Sequence, residues 1–244
     1  NPQDLFLSQD GYLYVCDTGN NRIVKLNANG QVINVYTGPA DKPLRSPSGI
    51  YVDDNGDCFI GDTGNSRILH VSSKGEFVEE FTRPESDLLS ENVTFDPSKV
   101  YVGPNGFIYL IKGKSFMMLD SHNQFKGYIG TPKVGFDIKR LFVRFFASDE
   151  QKRFIYLEEP DPFTNFTLSP DGMIYATSLS RTNQIVKINA AGEVVADKTI
   201  RAGDVTAESV RSYHGDLLIG TMTTEFTGND IVTTGATVDA AGNL

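Results

Sequence analysis

The stretch CDTGNNRIVKL at residues 16–26 returns almost unchanged as GDTGNSRILHV at residues 61–71. In each copy an Asp precedes a Thr-Gly-Asn turn, and an Arg opens the apolar-rich segment that follows. Gly and Asn favour tight turns, whereas alternating apolar residues are typical of strands. The duplicated stretch therefore predicts a strand, a turn and a second strand, repeated after 45 residues.

The same unit can be followed through the rest of the chain by a glycine that comes after a short, mostly acidic turn. The anchor glycines are Gly11, Gly56, Gly106, Gly172 and Gly242. An aliphatic residue lies four positions before each anchor, as expected for the first strand of a hairpin. Repeats of about 40 to 50 residues with strand patterning are typical of propeller blades. We therefore predict an all-β propeller of four-stranded blades, in one domain over residues 1–244.

The predicted units start near residues 4, 49, 99, 165 and 235. In each unit a two-strand hairpin is followed by segments such as RIVKLN and QVINVY, which supply the third and fourth strands. We expect positive φ angles in the turns between the third and fourth strands. These turns contain Gly30, Gly75, Gly192 and, in place of glycine, Asn123. A sheet with two apolar faces must be covered on both sides, which favours blades stacked around an axis.

The two DTGN turns have a structural and a functional interpretation. In the structural one, Asp17 and Asp62 accept hydrogen bonds from backbone amides of the turn, and Asn20 and Asn65 adopt left-handed conformations. The arginines can then reach back to the aspartates. In the functional one, the turns face a ligand.

The functional interpretation gives four candidate ligand-binding residues in these turns. They are Asn21, Arg22, Ser66 and Arg67.

The segments DTGNNRIVKLNANG and DTGNSRILHVSSKG resemble the signature of NHL-repeat propellers. The segments KGKSFMMLDSHNQ and TSLSRTNQIVKINAAG are weaker copies without the Asp and the Arg. The resemblance implies a propeller that usually closes with six blades. Such propellers serve as amidating lyases, lactonase-like enzymes, RNA or protein binders, and exported bacterial proteins. The chain ends at DAAGNL, within a fifth unit, and begins with Asn rather than Met, so we expect a fragment of a longer protein.

Two long intervals between anchors predict insertions at residues 133–159 and 201–233. The first reads as helical and basic, with candidate binding residues Phe142, Arg144 and Phe145. It is either a cap that packs on the propeller or a docking surface for an acidic partner or a glycan. The run RFFASDEQKRF, followed by NFTLSPDGMIYATS, is similar to exported bacterial NHL proteins with a helical insertion. The second insertion is ambiguous: GDLLIGTM can add a short strand, or the whole segment can supply a blade.

Charge and hydropathy exclude several classes of function. With 22 Lys and Arg against 31 Asp and Glu, the net charge of −9 disfavours a nucleic acid partner. No segment is apolar over the roughly 18 to 20 residues that a membrane helix needs. The two cysteines, Cys16 and Cys58, do not form a scaffold pattern and are expected to be free thiols.

The sequence lacks an obvious catalytic or metal site. Three histidines are scattered, and no nucleophile, zinc-protease or nucleotide motif is present. The positions seven before each anchor, where propeller enzymes bring metal ligands to the axis, are Asp4, Gly49, Lys99, Asn165 and Gly235. This set does not make a metal cage, so we predict no cofactor. Only Asp4 with Asn165 could hold a weakly bound Ca²⁺.

We therefore expect a non-enzymatic binding module of the NHL-propeller type that recognises a glycan, a peptide or a partner protein. The resemblance to exported proteins favours an extracellular or cell-surface location, although a cytoplasmic one is not excluded. The alternative that the resemblance implies is a metal-dependent lyase or hydrolase that resembles the amidating-lyase and lactonase propellers.

Overall fold

A computed structural model of the chain describes residues 2–89, 92–113, 115–130, 162–169, 172–178, 185–198, 205–213 and 216–223. In these ranges the regular structure is antiparallel β-sheet, apart from two short 3-10 turns, and sixteen of the strands form four sheets. Blade 1 contains β1 (Asp4–Leu7), β2 (Leu13–Asp17), β3 (Arg22–Leu26) and β4 (Val32–Tyr36); blade 2 contains β5 (Gly49–Val52), β6 (Cys58–Asp62), β7 (Arg67–Val71) and β8 (Phe77–Phe81). Blade 3 contains β9 (Val100–Val102), β10 (Ile108–Lys112), β11 (Ser115–Leu119) and β12 (Phe125–Ile129); blade 4 contains β13 (Phe163–Leu168), β14 (Ile174–Ser178), β15 (Ile185–Ile188) and β16 (Val194–Lys198).

Each blade is a simple meander in which consecutive strands pair. The first strands of blades 1, 2 and 3 contact each other in turn, so they lie nearest a common axis. The fourth strand of each blade is the outer edge of its sheet. The predicted all-β propeller of four-stranded blades is confirmed. The helix predicted over residues 133–159 and the unit predicted near residue 235 lie outside the described residues.

The core is divided into clusters that lie between neighbouring blades. In blade 2, Ile60 and Leu69 belong to the cluster shared with blade 1, whereas Phe59 and Ile68 belong to the cluster shared with blade 3. A third cluster joins blades 3 and 4. Each blade thus has two apolar faces, and burial of both faces holds consecutive blades together.

The predicted turn geometry is present in all four blades. The φ angles are 75° at Gly30, 85° at Gly75, 79° at Gly192 and 58° at Asn123. Asn123 occupies the position where the other blades have glycine. Asparagine adopts the left-handed conformation more readily than most other residues. The sequence therefore predicted the third-to-fourth-strand hairpins correctly even in the weaker repeats.

The fourth strand of every blade carries one extra residue opposite the third strand. In blade 1, Lys25 pairs with Asn34 and Leu26 pairs with Val32, which leaves Ile33 unpaired. The same β-bulge occurs in the other three blades, at Val78, Lys126 and Val195. Ile33, Val78 and Val195 are about half exposed, at 51%, 47% and 49%.

Two longer strands, β17 (Val205–Tyr213) and β18 (Asp216–Thr223), form an antiparallel hairpin after blade 4. Backbone contacts place β17 against β13 and β14 of blade 4. The strand expected from GDLLIGTM is confirmed as part of β18. In the ranges that the structure describes, no helix is long and apolar enough to span a membrane.

Candidate functional site

The two DTGN turns have the same backbone conformation and the same internal ion pair. The Nε atom of Arg22 donates to Asp17 at 2.7 Å, and Arg67 donates to Asp62 at the same distance. Contrary to the sequence-based expectation, the left-handed residues are Asn21, with φ 54°, and Ser66, with φ 53°. They follow the asparagines that were expected to adopt this conformation, because Thr-Gly-Asn forms a single 3-10 turn that ends one residue later.

The aspartates also differ from their predicted role. Neither accepts a hydrogen bond from a backbone amide of its own turn. Asp17 accepts hydrogen bonds from the side chains of Asn20 and Arg22, which lower the pKa of its carboxyl group. Asp62 instead accepts a backbone amide from the connection between blades, that of Arg45, at 2.7 Å. The turns therefore serve partly to attach neighbouring segments.

Burial separates the two copies of the turn. The side chain of Arg22 is 44% exposed, whereas that of Arg67 is 1% exposed and that of Asp62 is fully buried. Arg67 also donates to Glu80 at 2.8 Å and to the carbonyl oxygen of Lys42 at 2.6 Å. The hydrogen bond from Arg67 is the main cause of a lowered pKa at Glu80, and a hydrogen bond from the side chain of Lys42 adds to it. A ligand would reach Arg67 only by displacing these internal partners.

The other two candidate residues of the turns are on the surface. Asn21 and Ser66 are both exposed. The Oδ1 atom of Asn21 accepts the backbone amide of Ser46 at 2.8 Å, which ties the turn to the connection between blades 1 and 2. Ligand binding by these two residues stays a prediction. Phe142, Arg144 and Phe145, the candidates in the first insertion, lie outside the described residues.

The residues considered for calcium lie at the starts of the inner strands. Lys99, which precedes β9, reaches across blade 2 so that its Nζ lies 2.9 Å from Oδ1 of Asp4 in β1. The other oxygen of Asp4 accepts the amide of Ile50 at 3.0 Å, and Lys99 also donates to the carbonyl of Gln3 at 2.7 Å. A calcium ion at Asp4 would have to replace this internal ammonium group. Asn165 is buried at the corresponding position in blade 4 and accepts the amide of Phe166.

Gly49 lies where Lys99 passes blade 2. A Cβ atom at this position would lie 2.6 Å from the carbonyl oxygen of Ser98. Glycine is therefore required for the close approach of the segment that carries Lys99. In the described part of the chain, no three His, Cys, Asp or Glu side chains come together as a group that could hold a metal ion.

A cavity of about 780 Å³ lies at the opposite ends of the same inner strands. Its aromatic wall is formed by Phe6, Tyr51 and Tyr101, one from each of blades 1 to 3. The ring centroids are 5.4 Å apart for Phe6 and Tyr51, and 4.5 Å apart for Tyr51 and Tyr101. We call this space the axial cavity. Its size falls within the range of small-ligand pockets, about 300–1,000 Å³.

The rim of the axial cavity is polar and acidic. Asp53, Asp54 and Asn55 line it from the first turn of blade 2, and Gln9 lines it from the corresponding turn of blade 1. The amide of Gln9 donates to Oδ1 of Asp54 at 2.8 Å. Asp53 is engaged within its own turn, where it accepts the backbone amides of Asn55 and Asp57. The described lining contains two carboxylates and no Lys or Arg.

Tyr51 is the central residue of the aromatic wall. Its pKa is raised, mainly by burial, and in addition by Tyr101 and by the carboxylates of Asp54 and Asp53. No hydrogen bond to its hydroxyl group is found among the described residues. Tyr51 thus lines the cavity while its ring packs between those of Phe6 and Tyr101.

The sequence analysis did not identify the axial cavity, although a signal for it exists. Phe6, Tyr51 and Tyr101 each lie five positions before an anchor glycine, next to the aliphatic residue that was used to align the repeats. An aromatic residue at one repeat position in three consecutive blades indicates a ring of aromatic side chains around the axis. The cavity lies at the end of β1 where Leu7 pairs with Leu13, next to the first turn of the blade. The DTGN turn follows the other end of this hairpin, where Asp4 pairs with Cys16, so the two features lie on opposite faces.

Comparisons with known structures show the fold. The chain is 17% identical to a streptogramin B lyase structure, with a TM-score of 0.59 over 98% of this chain and 73% of that one. It is also 17% identical to a catalytically inactive virginiamycin B lyase from Staphylococcus aureus with quinupristin, with a TM-score of 0.58 over 92% and 67% of the chains. Hydrazine synthase of Kuenenia stuttgartiensis is 15% identical, with a TM-score of 0.54 over 86% and 51%.

Comparison by sequence gives a narrower result. A search of curated protein sequences finds no match. The family model of the NHL repeat matches residues 44–71, which run from the connection before blade 2 to the end of β7. The match contains the second DTGN turn, on which the resemblance was based. The chain therefore carries an NHL repeat within a β-propeller arrangement of four-stranded blades.

Proposed function

We propose that the chain is a non-enzymatic binding module whose axial cavity accepts part of a glycan, a peptide or a partner protein. The observation that carries the proposal is the aromatic wall of Phe6, Tyr51 and Tyr101, which three different blades build at one end of the axis. Aromatic rings supply large contact areas, and the Gln, Asn and Asp side chains of the rim supply hydrogen bonds that orient a ligand.

The test is a screen of glycan and peptide arrays with the wild-type protein and with Tyr51→Ala. For any ligand that binds, the substitution should weaken affinity by about tenfold or more, because it removes the central ring contact. Phe77→Ala is the matched control, since Phe77 is a 54% exposed aromatic residue on β8, the outer strand of blade 2, and does not line the axial cavity. Equal binding by the wild-type protein and Tyr51→Ala would contradict the proposal. Circular dichroism of both variants checks that they fold.

A metal-dependent lyase or hydrolase is the second candidate, and the observation that favours it is the fold similarity to the streptogramin and virginiamycin B lyases. Elemental mass spectrometry of the dialysed protein tests for a bound metal. Incubation with quinupristin, followed by mass spectrometry of the compound, tests for turnover. Stoichiometric metal together with turnover would replace the binding proposal with an enzymatic one.

The proposal includes an extracellular or cell-surface location, which is supported by the resemblance to exported NHL-repeat proteins. Detection of the protein on intact cells or in the culture medium with a specific antibody tests this location. Recovery from the cytoplasmic fraction alone would contradict it.

A further inference from the structure

The charged side chains in the described lining of the axial cavity have one sign. Asp53 and Asp54 line the cavity, and its described lining includes no Lys or Arg. The whole chain carries a net charge of −9, so the long-range field has the same sign as the local one. An anionic group in the cavity would lie beside two carboxylates without a compensating cation. Acidic glycans and acidic peptides are therefore disfavoured at this site.

The two carboxylates differ in their availability. Asp53 is occupied by its turn, since Oδ1 accepts two backbone amides and Oδ2 accepts the side chain of Asn55 at 3.3 Å. Asp54 is exposed and accepts only the Gln9 amide, on Oδ1, among the described residues. Its Oδ2 atom remains available to a ligand at the rim. Gln9 holds the carboxylate in place from the neighbouring blade.

The aromatic wall, like the carboxylates, favours a positively charged ligand group. The faces of tyrosine and phenylalanine rings carry negative electrostatic potential and attract ammonium and guanidinium groups. Asp53 and Asp54 follow Tyr51 in the chain and line the same cavity, and their carboxylates contribute to the raised pKa of Tyr51. A positive group between the rim and the wall would therefore interact favourably with both.

From these contacts we propose that the axial cavity binds a ligand through a positively charged amino or guanidino group, held between Asp54 and the ring of Tyr51. The inference rests on the binding function proposed above and specifies the charge of the group that enters. A lysine or arginine side chain of a peptide and the free amine of an amino sugar share this chemistry.

Paired probes that differ in charge test the inference and separate the two sources. Glucosamine is compared with N-acetylglucosamine, and the peptide Gly-Lys-Gly with blocked ends (N-acetylated and C-amidated) is compared with the same blocked peptide acetylated on the lysine side chain. Binding is measured by isothermal titration calorimetry. The cationic member of at least one pair should bind at least about fivefold more tightly, as expected for one ion pair with a cation–π contact. The pair that shows the difference identifies the source.

The variant Asp54→Asn should weaken binding of the cationic probe up to about fivefold and leave the neutral probe unchanged. Asp41→Asn is the matched control, because Asp41 is an exposed aspartate in the connection after blade 1 and does not line the cavity. In the wild-type protein, higher ionic strength should weaken the cationic probe only, which tests the charge without any substitution.

The outcomes distinguish this inference from the broader proposal. Equal binding of cationic and neutral probes, both weakened by Tyr51→Ala, would overturn the charge preference and support the cavity as a binding site. Binding of neither member of either pair would overturn the charge preference. Binding of array ligands unaffected by Tyr51→Ala would overturn the proposed function itself.

Discussion

The duplicated turn allows one ion pair to be compared in two environments within a single protein. Replacement of Arg67 by Ala leaves the Asp62 carboxylate fully buried, with hydrogen bonds from Arg45 and Asn65 but without its countercharge. Loss of one partner of a buried pair typically costs about 3–5 kcal/mol. Replacement of Arg22, which is 44% exposed, removes a surface pair worth about 0.2–1 kcal/mol. Arg67→Ala should therefore lower the free energy of unfolding several-fold more than Arg22→Ala does.

The free energy of unfolding is measured by urea denaturation of the wild-type protein, Arg67→Ala and Arg22→Ala. For a chain of this size, about 2–4 °C of melting temperature corresponds to each kcal/mol, so thermal unfolding gives a second estimate. The double variant Arg67→Ala with Asp62→Asn should recover part of the loss, because it removes the unpaired buried charge. Equal losses for Arg67→Ala and Arg22→Ala would refute the reasoning that burial of the pair determines its contribution.

Three further predictions concern the core and the inner strands. Burial raises the pKa of Cys58 to about 12 and that of Cys16 well above its usual value. Iodoacetamide at pH 8 should label both thiols only as fast as the protein unfolds, as followed by mass spectrometry; rapid labelling of the native protein would contradict this. Gly49→Ala should lower the free energy of unfolding by about 1–3 kcal/mol, since its Cβ would lie 2.6 Å from a carbonyl oxygen; an unchanged urea midpoint would show that the segment moves freely. The lowered pKa of Glu80 means that its carboxylate stabilises the fold above its usual pKa and loses this effect as pH falls through the lowered value. The difference in urea midpoint between the wild-type protein and Glu80→Gln should therefore be constant from about pH 7 to 5 and shrink as pH falls below the usual Glu pKa of about 4.3; a difference that keeps its full size under acidic conditions would exclude this cause.

The local structure of the blades could be predicted from the sequence because it depends on residues close together in the chain. The anchor glycines fix one hairpin of each blade, and Gly30 or Asn123 fixes another with a positive φ. The free state of Cys16 and Cys58 was also predicted correctly. These features follow from turn chemistry and from alternation of apolar residues, which a single sequence displays directly.

The candidate site depends on residues that come together only when blades stack. Two identical Asp–Arg pairs in the sequence differ in burial because Lys42, Arg45 and Glu80, outside the repeated motif, surround only the second pair. The pairing of Asp4 with Lys99 joins blades 1 and 3 and has no local signal. The sequence analysis missed the axial cavity because the aromatic residues on the inner strands of blades 1 to 3 form a wall only when the blades pack side by side.

The β-bulge shared by all four outer strands affects how the outer edges of the blades can pair with strands of other molecules. An open sheet edge is a template for pairing with a strand of another molecule, and the apolar residues Val32, Ile33 and Phe77 on these edges would add to that tendency. The unpaired residue bends each outer strand and increases its twist, so an added strand could not form a continuous ladder along it. The bulges therefore disfavour edge-to-edge strand pairing at the outer strands that expose these apolar side chains. We expect a partner that binds there to do so through side-chain contacts.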